Sequence, residues 1–401
     1  MARDAATQPR AAIESGLRLQ AIVFCLVAAA FTAVYITQPV LPVLQVEFGV
    51  NESIASLTIS SVILGIALAN LPFGVLADRY PIRPLLIGGA AVVTVASLLC
   101  AVTHGIWLLV AARFVQGLFI PSLTTCLAAY LSRTLPLERL NVVMGSYVSA
   151  TIAGGLGGRL LGGWIHPPLH WRYAFVTSAA LLIAAAVTAA RTLPDEPAER
   201  PLEERGAGFI QLLSRAEVLR VLVVPFTAFF VFSATFNYLP FYVSRPPIGA
   251  PLKVLTLLYL AYVVGMVAGP VAGKVSNRLG SGATMVIGST LLAGAIACTL
   301  VPRLWVIAAS LPVVCGGFFG VHAAALGTLN RRLTGSRGRA NSLYVLFYYL
   351  GGAVGISTTG WAYSHAGWPG VIALAIAVLL MPLGVGLYEL REQKRDRLAA
   401  G

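Results

Sequence analysis

Gly74-Val-Leu-Ala-Asp78-Arg79-Tyr-Pro-Ile-Arg83 is a short polar island between two long apolar runs, residues 55–76 before it and 84–102 after it. A helix needs roughly 20 apolar residues to cross a bilayer, so the island reads as a tight turn just outside a membrane. About 200 residues later the chain repeats it as Gly273-Lys-Val-Ser-Asn-Arg278. Three further pairs keep the same spacing. Phe31-Thr-Ala…Pro39 resembles Phe232-Ser-Ala…Pro240, Gly117 matches Gly316, and Gly158…Gly163-Trp164 matches Gly355…Gly360-Trp361. All offsets lie between 197 and 201 residues. A shared offset of this kind is the mark of a duplicated unit.

Working outward, spans are expected near residues 21–44, 55–76, 84–102, 107–128, 141–165 and 171–190, then 219–243, 252–272, 283–300, 304–326, 340–363 and 368–390. The expected fold is an all-α membrane protein: twelve transmembrane helices in two six-helix pseudo-symmetric halves around a central cavity. Residues 1–20 form a tail, 21–190 the first half, 191–218 a polar linker, 219–390 the second half and 391–401 a second tail. Composition agrees. Of 401 residues 58% are hydrophobic and 11% charged, against roughly 25% charged in soluble domains. Mean hydropathy is +0.83.

The net charge of +13 could suggest nucleic acid, but its distribution argues topology. Twenty-two Lys and Arg fall on the face shared by the termini and four (Arg172, Arg245, Lys253, Arg303) on the other. Basic residues concentrate on the cytoplasmic side, so both termini are expected in the cytoplasm and no nucleic-acid partner is implied. The five Cys are scattered through apolar runs and read as small hydrophobes. No phosphate-cradling G-x-x-x-x-G-K-[ST] loop occurs, which argues against ATP drive. No cofactor or metal is expected, and the five His show no catalytic clustering.

Three motifs resemble the major facilitator superfamily over nearly the whole chain. The first is the island itself, with Pro81 where the family carries Gly. The second is Arg113-Phe-Val-Gln116-Gly117. The third is Gly145, Gly154, Gly158-Arg159, Gly162 and Gly163, which resembles the signature of the antiporter branch, with Arg159 where a Pro is expected. The resemblance is nearest to the twelve-span drug:proton antiporter and arabinose-efflux-like group of bacterial inner-membrane proteins. It implies a monomeric secondary transporter, alternating access and a conformational latch at Gly74, Asp78, Arg79 and Arg83 that meets the start of span 11 near Arg339–Asn341.

The residues carry their own physical reading. Gly154, Gly158 and Gly162 recur every four positions, so they share a helical face on which another backbone can approach. Polar groups inside a membrane face the bundle interior or a water-filled cavity. Arg113 and Arg159 lie well inside spans 4 and 5, about 10 Å and 9 Å from one end at 1.5 Å per residue. They either bind, or snorkel to the interface; Glu47 is the nearest acid by topology. His322 in span 10 is a candidate proton carrier. Tyr35 and Gln38 in span 1, Asn237 and Tyr238 in span 7, and Tyr344 and Tyr348 in span 11 are candidate cavity groups for a mixed apolar-polar solute, together with Gln116 in span 4.

No Asp or Glu lies mid-span. Two transport readings follow. One is proton-coupled efflux of amphipathic compounds, with Glu47, Arg113 and His322 handling charge. The other is transport of an anionic solute attracted by Arg113 and Arg159. A non-transporting receptor of the same fold is the reading from a different class.

Overall fold

A computed structural model describes residues 7–193, 208–333 and 337–400, and among them the secondary structure is helical without a strand. Ten segments are long and apolar enough to cross a membrane. One of these, Gly338–Arg395, holds two crossings that meet at Gly367, whose φ of 59° suits glycine. The 29-residue helix Leu137–Ile165 completes the twelve.

Span 1 is Thr7–Tyr35, span 2 Glu52–Arg79, span 3 Ile82–Val102, span 4 Ile106–Leu123 with Thr125–Thr134, span 5 Leu137–Ile165 and span 6 Arg172–Thr192. Span 7 is Ala216–Ser244, span 8 Leu252–Leu258 with Tyr262–Leu279, span 9 Ser281–Cys298 and span 10 Leu304–Arg332. Spans 11 and 12 flank Gly367 within Arg337–Ala400. Residues 194–207 of the expected linker lie outside the described residues; the short helix Phe209–Leu213 follows them. The helix of span 1 already runs through much of the expected tail.

Local chemistry sets the element ends. Asn51 caps span 2, its side chain accepting from the Ile54 amide at 2.9 Å. Glu52 and Arg79 then sit at the ends where the helix dipole favours each sign. Span 1 stops at Tyr35, short of the expected residue 44, and helix resumes as Leu41–Phe48 beyond the turn that holds Gln38 and Pro39. Proline has no amide to continue the helical ladder. Span 8 is interrupted by one 3₁₀ turn, Tyr259–Ala261.

Span 5 packs on span 1 through the glycines. A Cβ at Gly154, Gly158 or Gly162 would run into the carbonyl oxygen of Ala28, Thr32 or Ile36 respectively. Both series step by four, so the two helices touch backbone to backbone. Thr32 Oγ1 donates to the Gly154 carbonyl at 3.2 Å across this seam. The second half repeats it. Gly351 and Gly355 of span 11 face the Phe226 and Phe230 carbonyls of span 7, and Ser233 donates to the Gly352 carbonyl at 3.1 Å. Gly145 does not share in this packing: nine residues before Gly154 it lies on the opposite face of the helix, and nothing lies where its Cβ would be.

The halves meet on the face away from the termini. Gly163 of span 5 abuts Thr256 of span 8, and Gly360 of span 11 abuts Ser53 of span 2, the pseudo-symmetric contact. Asn237 in span 7 donates to Ser56 in span 2 at 2.8 Å. Arg245, just past span 7, pairs with Glu52 and donates to Gln45 at 3.2 Å. Toward the terminal face Asn70 donates to the Ser342 carbonyl at 3.4 Å. There Ser149 of span 5 is exposed, and Tyr147, Thr151, Tyr348 and Tyr349 are part-exposed. The molecule is thus sealed at the face opposite the termini.

Candidate functional site

The two intramembrane arginines resemble each other in the sequence and part ways in the structure. Arg113 is fully buried inside the first half. Its guanidinium donates to the Ala33 carbonyl at 2.6 Å, to the Val34 carbonyl, to the Thr58 carbonyl at 2.8 Å and to Gln116 Oε1 at 2.7 Å. Ala33 and Val34 belong to the last turn of span 1, where a helix leaves carbonyls without intrahelical donors and carries partial negative charge. Arg113 therefore caps the broken end of span 1 from span 4. Gln116 continues the network to Ser97 in span 3 at 2.6 Å.

Glu47 is not the partner of Arg113. It sits at the sealed face beside the start of span 6, where Arg172 donates to it at 2.6 Å, Trp171 Nε1 donates as well, and His170 lies 3.6 Å away. Burial pushes its carboxyl up. The hydrogen bonds from Trp171 and Arg172 and the charges of Arg172 and His170 outweigh that and hold it below the usual carboxylate range.

Arg159 is only 3% exposed, yet it stands between the halves. Nε donates to Gln38 Oε1 at 2.6 Å, one terminal nitrogen to the Gly155 carbonyl at 2.8 Å and the other to the Tyr262 hydroxyl of span 8 at 3.0 Å. The rings of Tyr35 and Tyr262 have their centroids 3.9 Å and 4.2 Å from its guanidinium carbon, and Tyr259 lies at 5.5 Å. Aromatic faces carry negative potential and attract a cation. Among the described residues no carboxylate pairs with Arg159. The 3₁₀ turn of span 8 presents both Tyr259 and Tyr262 to it.

An aromatic wall leads from this cage into the second half. Tyr262 meets Phe232 edge-on with centroids 5.3 Å apart, and Phe232 stacks on Phe318 at 3.9 Å. Tyr348 stacks on Phe229 at 3.9 Å and lies 5.2 Å from the His322 ring. His322 Nδ1 is 3.0 Å from the Tyr344 hydroxyl.

Of the sequence candidates, Tyr35, Gln38 and Arg159 converge in the cage, and His322, Tyr344 and Tyr348 in the wall. Arg113 and Gln116 are drawn into packing of the first half. Asn237 belongs to the inter-half seal through Ser56, and Tyr238 donates to the Ile356 carbonyl of span 11 at 3.0 Å. Tyr259, Tyr262 and Phe318 carry no mark in the sequence as site residues, because ring-rich helices look alike there; a Tyr-x-x-Tyr pair opposite an intramembrane Arg is the available signal. At the terminal face Asp78 accepts from Arg133 of span 4 at 2.6 Å, and Arg133 also donates to the Ala77 carbonyl at 2.7 Å. Arg83 donates to the Leu193 carbonyl at 2.9 Å, Arg79 is exposed, and nothing lies beside Gly74. The Asp78–Arg133 pair ties span 2 to span 4 within one half.

Two repeated six-helix halves, sealed at one face over a polar-aromatic site, define a polytopic membrane transporter. The family model described as Major Facilitator Superfamily matches residues 23–329 and 249–400, and the chain belongs to that family. It is 29% identical over 395 residues to the inner membrane transport protein YnfM of Escherichia coli, covering 96% of this chain and 94% of that protein. A multidrug resistance protein B homolog of Mycobacterium tuberculosis is 35% identical over 153 residues, 38% of this chain and 28% of that protein. A solved bacterial homolog of the human lysosomal transporter Spinster, described as inward-facing and unoccupied, shares the fold with a TM-score of 0.76 at 15% identity, covering 96% and 98% of the two chains.

Proposed function

We propose that this chain carries a small amphipathic solute bearing an anionic group out across a bacterial inner membrane, by alternating access coupled to protons. The observation that carries the reading is Arg159. It is a buried cation between the two halves, held by amide, carbonyl and phenol groups and, among the described residues, by no acid. Leaving a charge in a low-dielectric site is costly unless something compensates it. A solute anion supplies that compensation, whereas a cationic solute would add to the cost.

The basic asymmetry supports termini in the cytoplasm. On that reading the sealed face is the outer one and this conformer is open inward. His322, part-exposed beside Tyr344, is the candidate proton carrier, and the solute needs no nucleotide. A second reading, efflux of neutral or cationic amphipathic drugs, draws on the partial likeness to a protein named for multidrug resistance.

The test is flux in proteoliposomes carrying a trapped pH dye, against anionic, neutral and cationic amphipaths of matched size. Anionic solutes should dissipate an imposed pH gradient saturably, and Arg159→Gln should remove that response. Arg159→Lys, which keeps the charge but not the planar fork, should retain part of it. Saturable movement of cations but not anions would favour drug efflux; no flux of any solute would sink the transporter reading for this chain.

A further inference from the structure

We infer that the solute is a small aromatic monocarboxylate, its carboxylate on Arg159 and its ring among the tyrosines that line both halves. This rests on the anionic reading above and narrows it.

The charge comes first. A guanidinium has five N–H donors; Arg159 directs three of them to Gln38, Gly155 and Tyr262, and the Tyr35 hydroxyl is a further side-chain partner. Its terminal nitrogens form the fork that one carboxylate takes when the phenol partners give way. Among the described residues no second Arg or Lys shares the cage, since Arg113 is committed to the carbonyls of spans 1 and 2. One unneutralised cation fits a monoanion and leaves a second negative charge without a partner.

The ring comes next. Around Arg159 the first half contributes Tyr35 and the second half Tyr259 and Tyr262, with Phe232 and Phe318 behind them. Planar faces select a planar partner, because offset or edge contacts between rings add to simple apolar burial. The tyrosine hydroxyls add donors near the carboxylate. An aliphatic acid of the same size gains the charge contact and forgoes the ring contact.

Binding and gating then share one group. Tyr262 reaches Arg159 from the other half, so separating spans 5 and 8 strips Arg159 of that hydroxyl and of two aromatic faces. A bound carboxylate replaces what is lost. The anion therefore favours the state in which the outer seal is open, since a ligand shifts an equilibrium by its differential affinity for the two states.

The experiment is equilibrium binding of radiolabelled benzoate to the purified full chain in lipid nanodiscs. The competitors are cyclohexanecarboxylate, benzyl alcohol and benzylammonium. Benzoate should bind saturably. Cyclohexanecarboxylate should compete roughly tenfold more weakly, and the alcohol and the ammonium should not compete. Arg159→Gln should lose binding, and Arg159→Lys should keep a weakened site. Equal competition by cyclohexanecarboxylate overturns the aromatic assignment, and competition by benzylammonium overturns the anionic one. Unchanged binding in Arg159→Gln overturns the site. Should benzoate not bind while the proteoliposomes move another amphipath, this inference falls and the transporter reading stands. Because the competition series uses the wild-type chain, it decides the matter even where a variant does not fold.

Discussion

Arg113 and Arg159 show how far one residue type can be read without its neighbours. Both are arginines inside apolar helices, at similar depth, and both invite a binding role. What separates them is where the chain breaks. Span 1 ends at Tyr35, and its last carbonyls become the acceptors of Arg113. Hydropathy runs straight through that break to Leu44, and only Gln38 and Pro39 mark it in the sequence. Arg159 instead meets a tyrosine from span 8, about a hundred positions away. The two should fail differently. Arg113→Gln removes several charge-assisted bonds to buried carbonyls, each worth roughly 1.5–3 kcal/mol. It should lower the thermal unfolding midpoint of the detergent-solubilised protein by several degrees. An unchanged midpoint would mean that these carbonyls are satisfied without it. Glu47 offers a pH test at the same scale. Its carboxyl is held below the usual range in the folded chain. The stability that it contributes is therefore present above the unfolded carboxylate value near about 4 and is lost as pH falls through the lower folded one. Unfolding scans across that acid window should show a steeper loss in wild type than in Glu47→Gln; identical slopes would remove Glu47 from the sealed mouth's stability.

At the scale of elements, the seam between spans 1 and 5 was legible and the contact between spans 5 and 8 was not. Glycines every four residues announce a close helix pair, since the spacing alone puts them on one face. Gly145 falls outside the pattern at nine residues from Gly154, and the structure leaves it without a neighbour. Gly163 shares the motif but not the partner: it turns toward Thr256 in the other half, something no local spacing encodes. The distinction has a consequence. Gly158→Ala would push a Cβ into the backbone of span 1 and should destabilise the first half by about 1–3 kcal/mol. Gly163→Ala meets only the Thr256 side chain, so its clash should be relieved in Gly163→Ala/Thr256→Ala. We expect Gly163→Ala to raise maleimide labelling of a cysteine placed at Ser56, behind the seal, and the double variant to return it to the starting level. Labelling that is unaffected by Gly163→Ala would remove this glycine from the gate.

For the molecule as a whole, lipid made the architecture readable. Each crossing must be apolar along its length and must satisfy its own backbone, so number, order and duplication of spans all surface in hydropathy and repeated motifs. The arrangement between halves leaves no such trace, because it is written in single contacts such as Asn237 to Ser56 and Arg245 to Glu52. The site lies at that same junction, which is why spans 5, 8 and 11 supply more of it than the polar residues of span 4 suggested. The pseudo-symmetric glycines Gly163 and Gly360 place matched contacts on both sides of the sealed mouth, as rocking of two repeats about a central site requires. In the alternating-access cycle proposed above, this mouth opens once per turnover. The direct measurement joins cysteines substituted at Ser56 and Asn237, whose side chains meet at 2.8 Å, with a short reversible thiol cross-linker in reconstituted vesicles. Solute flux should stop when the link forms and return on reduction. Flux that continues at the uncross-linked rate through fully linked protein would contradict the account.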